Sequence, residues 1–413
     1  MRVPTMTQFT NQLQTITQQN LTISSLQQQI SSQKKIQNAS DDPVLASQIK
    51  SINDYISSLQ SYTNNGVLAQ NRSSLFETSL QSCVNVMSKV TELSQAGKTE
   101  TLSNADRANL ASQLSGSLSR LLNVANTTDG NGEAIFAGYN TSSPAFVQKS
   151  GSYQYQGGLD QVNISIGPNT TTVYNDSGFN LFGNIATGNG AFTVKAGLTN
   201  TGTAYTSPGS VVSNASYVPD TYTISFVTNG SGQLGYQVTG ANSGQVIPTP
   251  PATSPANAPA YVAGSDLTFN GISLNVNGAP NSGDTMTIAP SSKDNIFNLI
   301  QNVINVLNKP VDSSQDIASF RQNMSQACSA LASGSQNFRS RLSDSGVRAA
   351  SLQTELDQNT ENVKQQNIIL GSLSDIDPYE VISKFTQQTQ ALQLTQQVYM
   401  KIQQSLSEFL KMT

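Results

Sequence analysis

The chain has 413 residues, only 11% of them charged, and a net charge of −4 with a pI near 4.9. That length allows two or three domains, and the acidic balance with no basic patch argues against a nucleic-acid surface. Histidine and tryptophan are absent, which removes the commonest general base and neutral metal ligand, so neither an enzyme nor a cofactor is expected.

The N-terminal segment carries a seven-residue ladder, Phe9, Ile16, Ile23 and Ile30, and Arg2 is the only charge in the first thirty-three positions. A strict heptad keeps one narrow apolar stripe facing a partner helix, as in a coiled coil. So narrow a stripe in a Gln-, Ser- and Thr-rich segment buries little on its own, which predicts a tail disordered in the monomer. An ordinary intramolecular helical hairpin is the alternative. No continuous apolar run marks a cleavable signal peptide, and none approaches the roughly 18–20 residues of a membrane span, so any export would use another route.

Ser40-Asp41-Asp42-Pro43 reads as a helix start, with an aspartate cap and proline at the first helical position rather than a metal site. Leu45, Ile49, Ile52, Ile56 and Leu59 follow in four-three steps. A break is expected near Asn64-Asn65-Gly66, and the stripe resumes through Phe76, Leu80, Cys83, Met87 and Val90 to an end near Gly97. Ser103 with Asp106 forms a weak capping box for a third helix carrying Leu110, Leu114, Leu121 and Val124. Asp129-Gly130-Asn131-Gly132 closes it.

From about 134 to 290 the composition shifts to Gly, Asn, Thr and Ser, with no arginine or glutamate. Tyr222, Ile224 and Phe226 alternate ahead of Asn229-Gly230, and Leu267, Phe269, Asn270-Gly271, Ile272, Leu274 and Val276 spell a second hairpin. Thr285 to Ile288 supplies a closing strand. Pro248, Pro250, Pro251, Pro255 and Pro259 mark a loop that cannot lie inside a central sheet.

A helix with Ile296, Ile300, Val303 and Leu307 stops at Pro310. A far longer one runs from Ile317 through Phe320, Met324, Ala327, Leu331, Phe338, Leu342, Ala349, Leu352, Leu356, Val363, Leu370 and Leu373, with polar gaps near Gly334 and Asn359; at 1.5 Å per residue it would be roughly 85 Å long, which indicates a rod. Asp377-Pro378 with Glu380 starts the last helix, whose ladder is Phe385, Leu392, Tyr399 and Leu406. Cys83 and Cys328 both lie on helical stripes, and small buried hydrophobes are favoured over a disulfide between them.

The expected fold is α+β, an elongated rod of long coiled-coil helices from both chain ends with a central β-rich module. Residues 1–40 and 375–413 form the tails, 41–133 and 291–374 the helical rod, and 134–290 the outer module, possible subdivision falling near 191–263. Asp42, Pro43, Asp377 and Pro378 are the expected tail-rod joints.

Ile30-Ser31-Ser32-Gln33-Lys34-Lys35-Ile36 and Ala39-Ser40-Asp41-Asp42-Pro43 resemble the N-terminal signature of the flagellin-like family, in its hook-associated protein 3 type. Ile135-Phe136-Ala137-Gly138, Pro144, Phe146 and Tyr155-Gln156-Gly157 agree at the entry to the module, and Gly283-Asp284-Thr285-Met286-Thr287-Ile288 at its exit. Arg341 to Glu355, containing Gly346-Val347-Arg348, and Leu373-Ser374-Asp375-Ile376-Asp377-Pro378-Tyr379 resemble its C-terminal half.

The resemblance implies an extracellular structural protein at the hook-filament junction of the bacterial flagellum, exported unfolded by the flagellar type III apparatus. It implies as partners neighbouring copies in a ring, the other junction hook-associated protein, flagellin, and an export chaperone on Phe385, Leu392, Tyr399 and Leu406; nucleic acid and membrane insertion are not expected. The same eight ladder residues are the expected inter-subunit packing. Gln33 stands where the family usually has glycine, so the first tail helix is expected to run on across that point. A flagellin filament subunit is the rival reading. A secreted coiled-coil adhesin or translocator is less favoured, because a translocator needs a long apolar segment and an adhesin needs no matching uncharged tails. The module's carboxylates, Asp160, Asp176, Asp220, Asp266 and Asp284, show no spacing that implies a catalytic pair.

Overall fold

The computed structural model describes residues 3–99 and 101–411; the side chains of residues 3–6, 8, 406 and 408–411 lie outside the description. Among the described residues the α-helices are α1 (Val3–Ser32), α2 (Pro43–Gly97), α3 (Asn104–Ala125), α4 (Ile296–Leu307), α5 (Ser314–Ser374) and α6 (Pro378–Lys411). The chain divides into two compact units, Met1–Gly66 with Thr354–Thr413, and Val67–Gln353. These limits fall inside α2 and α5.

The first unit contains α1, α6 and the adjoining ends of α2 and α5. Ile56, Leu59 and Leu356 are buried there, as are Leu26 and Val381. Helix α2 does not break at Asn64-Asn65-Gly66. Gly66 is helical and buried, and a Cβ there would collide with the Leu356 side chain, so this glycine admits a close crossing instead of ending a helix. Helix α1, in contrast, stops at Ser32. Gln33 takes φ +58°, the left-handed region that ends helices and is usually left to glycine, so the expected run-on of the first helix is corrected.

The second unit has two cores. In the first, Phe76, Leu80, Cys83, Met87 and Val90 of α2 meet Leu114 and Leu121 of α3, Ile300 and Val303 of α4, and Met324 and Phe338 of α5. The family-like segments at the module entry belong to this core. Phe136, Phe146, Phe182 and Phe297 are fully buried, with ring centroids 4.9–5.6 Å apart across Phe136–Phe182, Phe146–Phe182, Phe146–Phe297 and Phe182–Phe297. The hairpin of β1 (Phe146–Lys149) with β2 (Ser152–Tyr155) packs here, a second hairpin follows in β3 (Val162–Ser165) with β4 (Thr171–Asn175), and then β5 (Ile185–Ala186), whose Ile185 joins the same core. Residues 134–155 and 181–185 therefore contribute to a core shared with the helices. Both cysteines are free and buried, and burial pushes each thiol up from its ordinary range.

The second core lies within 192–288. Its strands are β6 (Phe192–Ala196), β7 (Tyr205–Thr206), β8 (Ser210–Val211), β9 (Tyr222–Thr228), β10 (Leu234–Gly240), β11 (Gly244–Ile247), β12 (Asp266–Phe269), β13 (Ile272–Asn277) and β14 (Thr285–Pro290). One antiparallel sheet has the order β11-β10-β9-β14-β6, and the other β12-β13-β7, with β8 also on β13. The alternation read from the sequence holds: Tyr222, Ile224 and Phe226 are buried in β9, and Ile272, Leu274 and Val276 in β13. Asn270 and Gly271, with φ of +43° and +75°, make the tight turn between β12 and β13. The strand from Thr285 is central in its sheet, between β9 and β6, because its period-two apolar face is buried against the other sheet.

Two polar features brace this β unit. Gln322 of α5, 2% exposed, accepts from Thr206 N–H at 2.6 Å and Oγ1–H at 3.0 Å, and its Nε2 donates to Val194 O at 3.1 Å. One carboxamide thus bridges β7 and β6, strands of different sheets. Asp220 accepts from Thr221 N–H, Asn242 N–H and Ser243 N–H and Oγ–H at 2.8–3.0 Å. Burial alone would raise its pKa, but these bonds outweigh that effect and hold the carboxyl at about 2.

Candidate assembly site: the paired tail helices and their joint

The two ladders meet each other. Helix α1 packs along α6, and Phe9, Ile16, Ile23, Ile30, Phe385, Leu392 and Tyr399 are all half-buried. The side chain of Leu406 lies outside the described residues. The Phe9 and Tyr399 rings lie 5.4 Å apart, tilted by 37°, while at the other end Lys34 bridges Asp375 in antiparallel sense. This antiparallel register sets Ile16 opposite Leu392 and Ile23 opposite Phe385, ladder against ladder.

Between those layers lies a second column of positions, Gln12, Gln19 and Leu26 on α1, and Thr395, Gln388 and Val381 on α6. Leu26 and Val381 are buried, each 9% exposed, and the others are half-buried. Gln19 and Gln388 line one polar groove with Asn11, Gln14, Gln18 and Thr22. The seam therefore alternates apolar and polar layers, which limits the area that it buries. Leu21, Ile382, Leu394, Val398 and Met400 remain exposed on the same two helices.

Of the four expected joint residues, the two aspartates act as caps and the two prolines open the helices. Asp42 Oδ1 accepts from Val44 N–H at 3.1 Å and Leu45 N–H at 2.9 Å, and Pro43 opens α2. Asp377 Oδ1 accepts from Tyr379 N–H at 2.9 Å and Glu380 N–H at 3.4 Å, and Pro378 opens α6. Asp41 is spent on its own turn, accepting from Gln37 N–H at 3.0 Å and Asn38 N–H at 2.8 Å. Proline needs no donor partner at the first helical position, and the aspartate satisfies the next free N–H groups.

The sequence reading missed a clasp that ties the two joints together. Lys35 N–H donates to Ser374 O at 2.7 Å and Ile376 N–H to Gln33 O at 3.2 Å, a two-bond piece of antiparallel ladder. Lys34 Nζ lies 2.6 Å from Asp375 Oδ1 and 3.2 Å from Ser374 Oγ, and Lys35 Nζ donates to Ser372 O at 2.6 Å. The hydrogen bond from Lys34, then that from Ser374, lowers the Asp375 pKa. A signal was present: Lys34 and Lys35 interrupt an otherwise almost uncharged segment. Gln33 makes the clasp possible, because its left-handed turn points its carbonyl at Ile376.

Within Val67–Gln353 the buried cluster around Arg72 is structural. Arg72, 6% exposed, pairs with Asp129 and donates to Asn175 Oδ1 at 3.1 Å, which fixes the loop after α3 against β4. Among the described residues no group of three or more acidic or cysteine side chains could hold a metal ion, and no helix is long and apolar enough to cross a membrane.

Comparison with known proteins places this geometry. Residues 3–141 match the bacterial flagellin N-terminal helical region. Flagellar hook-associated protein 3 of Escherichia coli is 34% identical over 158 residues, 38% of this chain and 49% of that protein, so the chain spans about half the length of that curated relative. The crystal structure of flagellar hook-associated protein 3 from Legionella pneumophila is 35% identical, with a TM-score of 0.76 over 79% of this chain and 98% of that one. The flagellar junction protein from the same organism is 36% identical, with a TM-score of 0.69 over 74% and 99%. With so much of a solved chain matched in sequence and in fold, this chain belongs to the flagellar hook-associated protein 3 family of flagellin-like proteins.

Proposed function

We propose that the chain is a structural junction protein of the bacterial flagellum, joining the hook-associated region to the flagellin filament. The single observation that carries this reading is the pairing of the two charge-poor chain ends into one weakly buried helical seam with apolar side chains left outward. Residues 1–40 and 375–413 are the assembling tails, and they order fully only when neighbours add the burial that the pair lacks. Phe9, Ile16, Ile23, Ile30, Phe385, Leu392, Tyr399 and Leu406 carry that packing. Asp42, Pro43, Asp377 and Pro378 join each tail to its continuing helix.

Copies of the chain form a ring with the other junction hook-associated protein on one side and flagellin on the other. The protein leaves the cell unfolded through the flagellar export apparatus, with a chaperone covering the stripe from Phe385 to Leu406, which is an aggregation hazard when bare. The likeness to a flagellar junction protein supports this placement over that of a filament subunit.

A deletion strain that synthesises flagellin but sheds it into the medium is the expected phenotype. Filaments retained on the deletion strain would favour the filament-subunit reading. Replacing Leu392 and Tyr399 with aspartate should abolish incorporation while Val67–Gln353 stays folded, and normal filaments on that mutant would overturn the assignment of the tails.

A further inference from the structure

We infer that the register of the tail pair is set by the second column, Gln12, Gln19 and Leu26 against Thr395, Gln388 and Val381, and not by the two ladders. The ladders are degenerate. Sliding α6 by seven residues would place Ile16 opposite Tyr399, Ile23 opposite Leu392 and Ile30 opposite Phe385, which is as apolar as the observed arrangement. A repeat of identical spacing on both helices cannot tell these alignments apart.

The second column can. In the observed register it matches polar with polar, Gln12 with Thr395 and Gln19 with Gln388, and apolar with apolar, Leu26 with Val381. After the slide Leu26 would face Gln388 and Gln12 would face Ile402. The opposite slide would set Gln19 against Val381 and Leu26 against Ser374. Either displacement opposes amides or a hydroxyl to aliphatic side chains that offer no hydrogen bond, the physical basis on which one polar position fixes a coiled-coil alignment.

The observed structure bears the mark of such a device. Gln19 and Gln388 share a polar groove; among the described residues Gln19 Oε1 has no hydrogen-bond partner, so the preference of this layer rests on its polar surroundings and not on an amide–amide bond. An apolar pair would bury more area here. The layer gives up stability and keeps discrimination, which suits a tail that must close in one alignment after being threaded out as an extended chain. The clasp at the joint is the competing explanation. Its Lys34–Asp375 pair, with both side chains about half exposed, 53% and 52%, holds weakly, but its two main-chain bonds, Lys35 N–H to Ser374 O and Ile376 N–H to Gln33 O, also oppose a slide, and the test below weakens both parts. The inference concerns the intramolecular pair and stands whether or not the chain assembles as proposed above.

Cross-linking of the full chain in a Cys83→Ala, Cys328→Ala background tests it. Ile16→Cys with Leu392→Cys reports the observed register, and Ile16→Cys with Tyr399→Cys reports the slid one. Mild oxidation at low protein concentration traps the pair whenever it closes, so the ratio of the two products reads the alignment even where the pair is weakly populated. The parent should give the observed cross-link almost alone. Adding Gln388→Leu should raise the slid-to-observed ratio at least tenfold, while Gln388→Thr, which keeps the layer polar, and Lys34→Ala with Ile376→Pro, which removes the clasp's ion pair and the main-chain bond from Ile376 N–H to Gln33 O, should leave it unchanged. A ratio unmoved by Gln388→Leu, comparable yields in the parent, or a slid product released by the clasp variant alone would each overturn the inference.

Discussion

At the scale of single residues, the joint rests on a backbone conformation that its side chain disfavours. Gln33 holds φ +58°, which costs a non-glycine residue roughly 1 kcal/mol. Gln33→Gly should therefore stabilise the clasp by about 0.5–1 kcal/mol, net of the added freedom of the unfolded chain. Slower amide exchange at Lys35 and Ile376 would register the gain; faster exchange would show that the glutamine is not strained. Asp220 gives a pH signature. Its folded pKa of about 2 lies below the ordinary carboxylate value, so the unfolded chain binds the proton more readily in between, and stability rises with pH across that window. The contribution is complete above about pH 5 and is lost as pH falls from about 4 towards 2. Calorimetry should show a melting temperature of the β unit that declines in this range, and less steeply in Asp220→Asn.

At the scale of elements, turn and capping chemistry read from sequence was reliable because it is local. Ser103 and Asp106 form the capping box expected of them, and Asn270-Gly271 makes the two-residue turn. Glycine was harder to interpret. Gly66 looked like a break and is a helix crossing, because its meaning depends on Leu356, which lies 290 positions away in the numbering. Gln322 was equally opaque: in the sequence it is one polar residue on a helix, and in the fold it bridges two sheets. Gln322→Leu keeps the volume but leaves Val194 O and Thr206 N–H without that partner, and should destabilise the outer β unit by about 1–3 kcal/mol. Chemical denaturation followed by the tyrosines of β9 and β10 would measure this, with faster exchange at the Thr206 amide as the specific readout.

At the scale of the whole molecule, the tails and the helices that follow them differ in how much they bury. The α2 stripe from Phe76 to Val90 is buried throughout, whereas the ladder residues of α1 and α6 reach only half-burial. For the isolated subunit we expect a tail pair that forms weakly. Removing residues 1–40 and 375–413 should lower the far-ultraviolet helical signal by less than their share of the helix, and a loss in full proportion would indicate a hairpin stable without neighbours.

The sequence by itself determined the helical ladders, the Asp-Pro caps, the alternating strands and the family, because each is written in short regular spacings, two residues in strands and three, four or seven in helices, and in motifs a few residues long. It also showed that the two ends were suited to pair. Only the tertiary structure decided where the second core begins, since residues 134–186 resemble the rest of the module in composition but bury Phe136, Phe146 and Phe182 in the core shared with the helices. The clasp of Lys34 and Lys35 on Ser372, Ser374 and Asp375, and the alignment of the ladders, were likewise settled by contacts between segments more than 330 positions apart. A repeating spacing names the face that a helix will bury, but it leaves open which of several equivalent alignments that face will take.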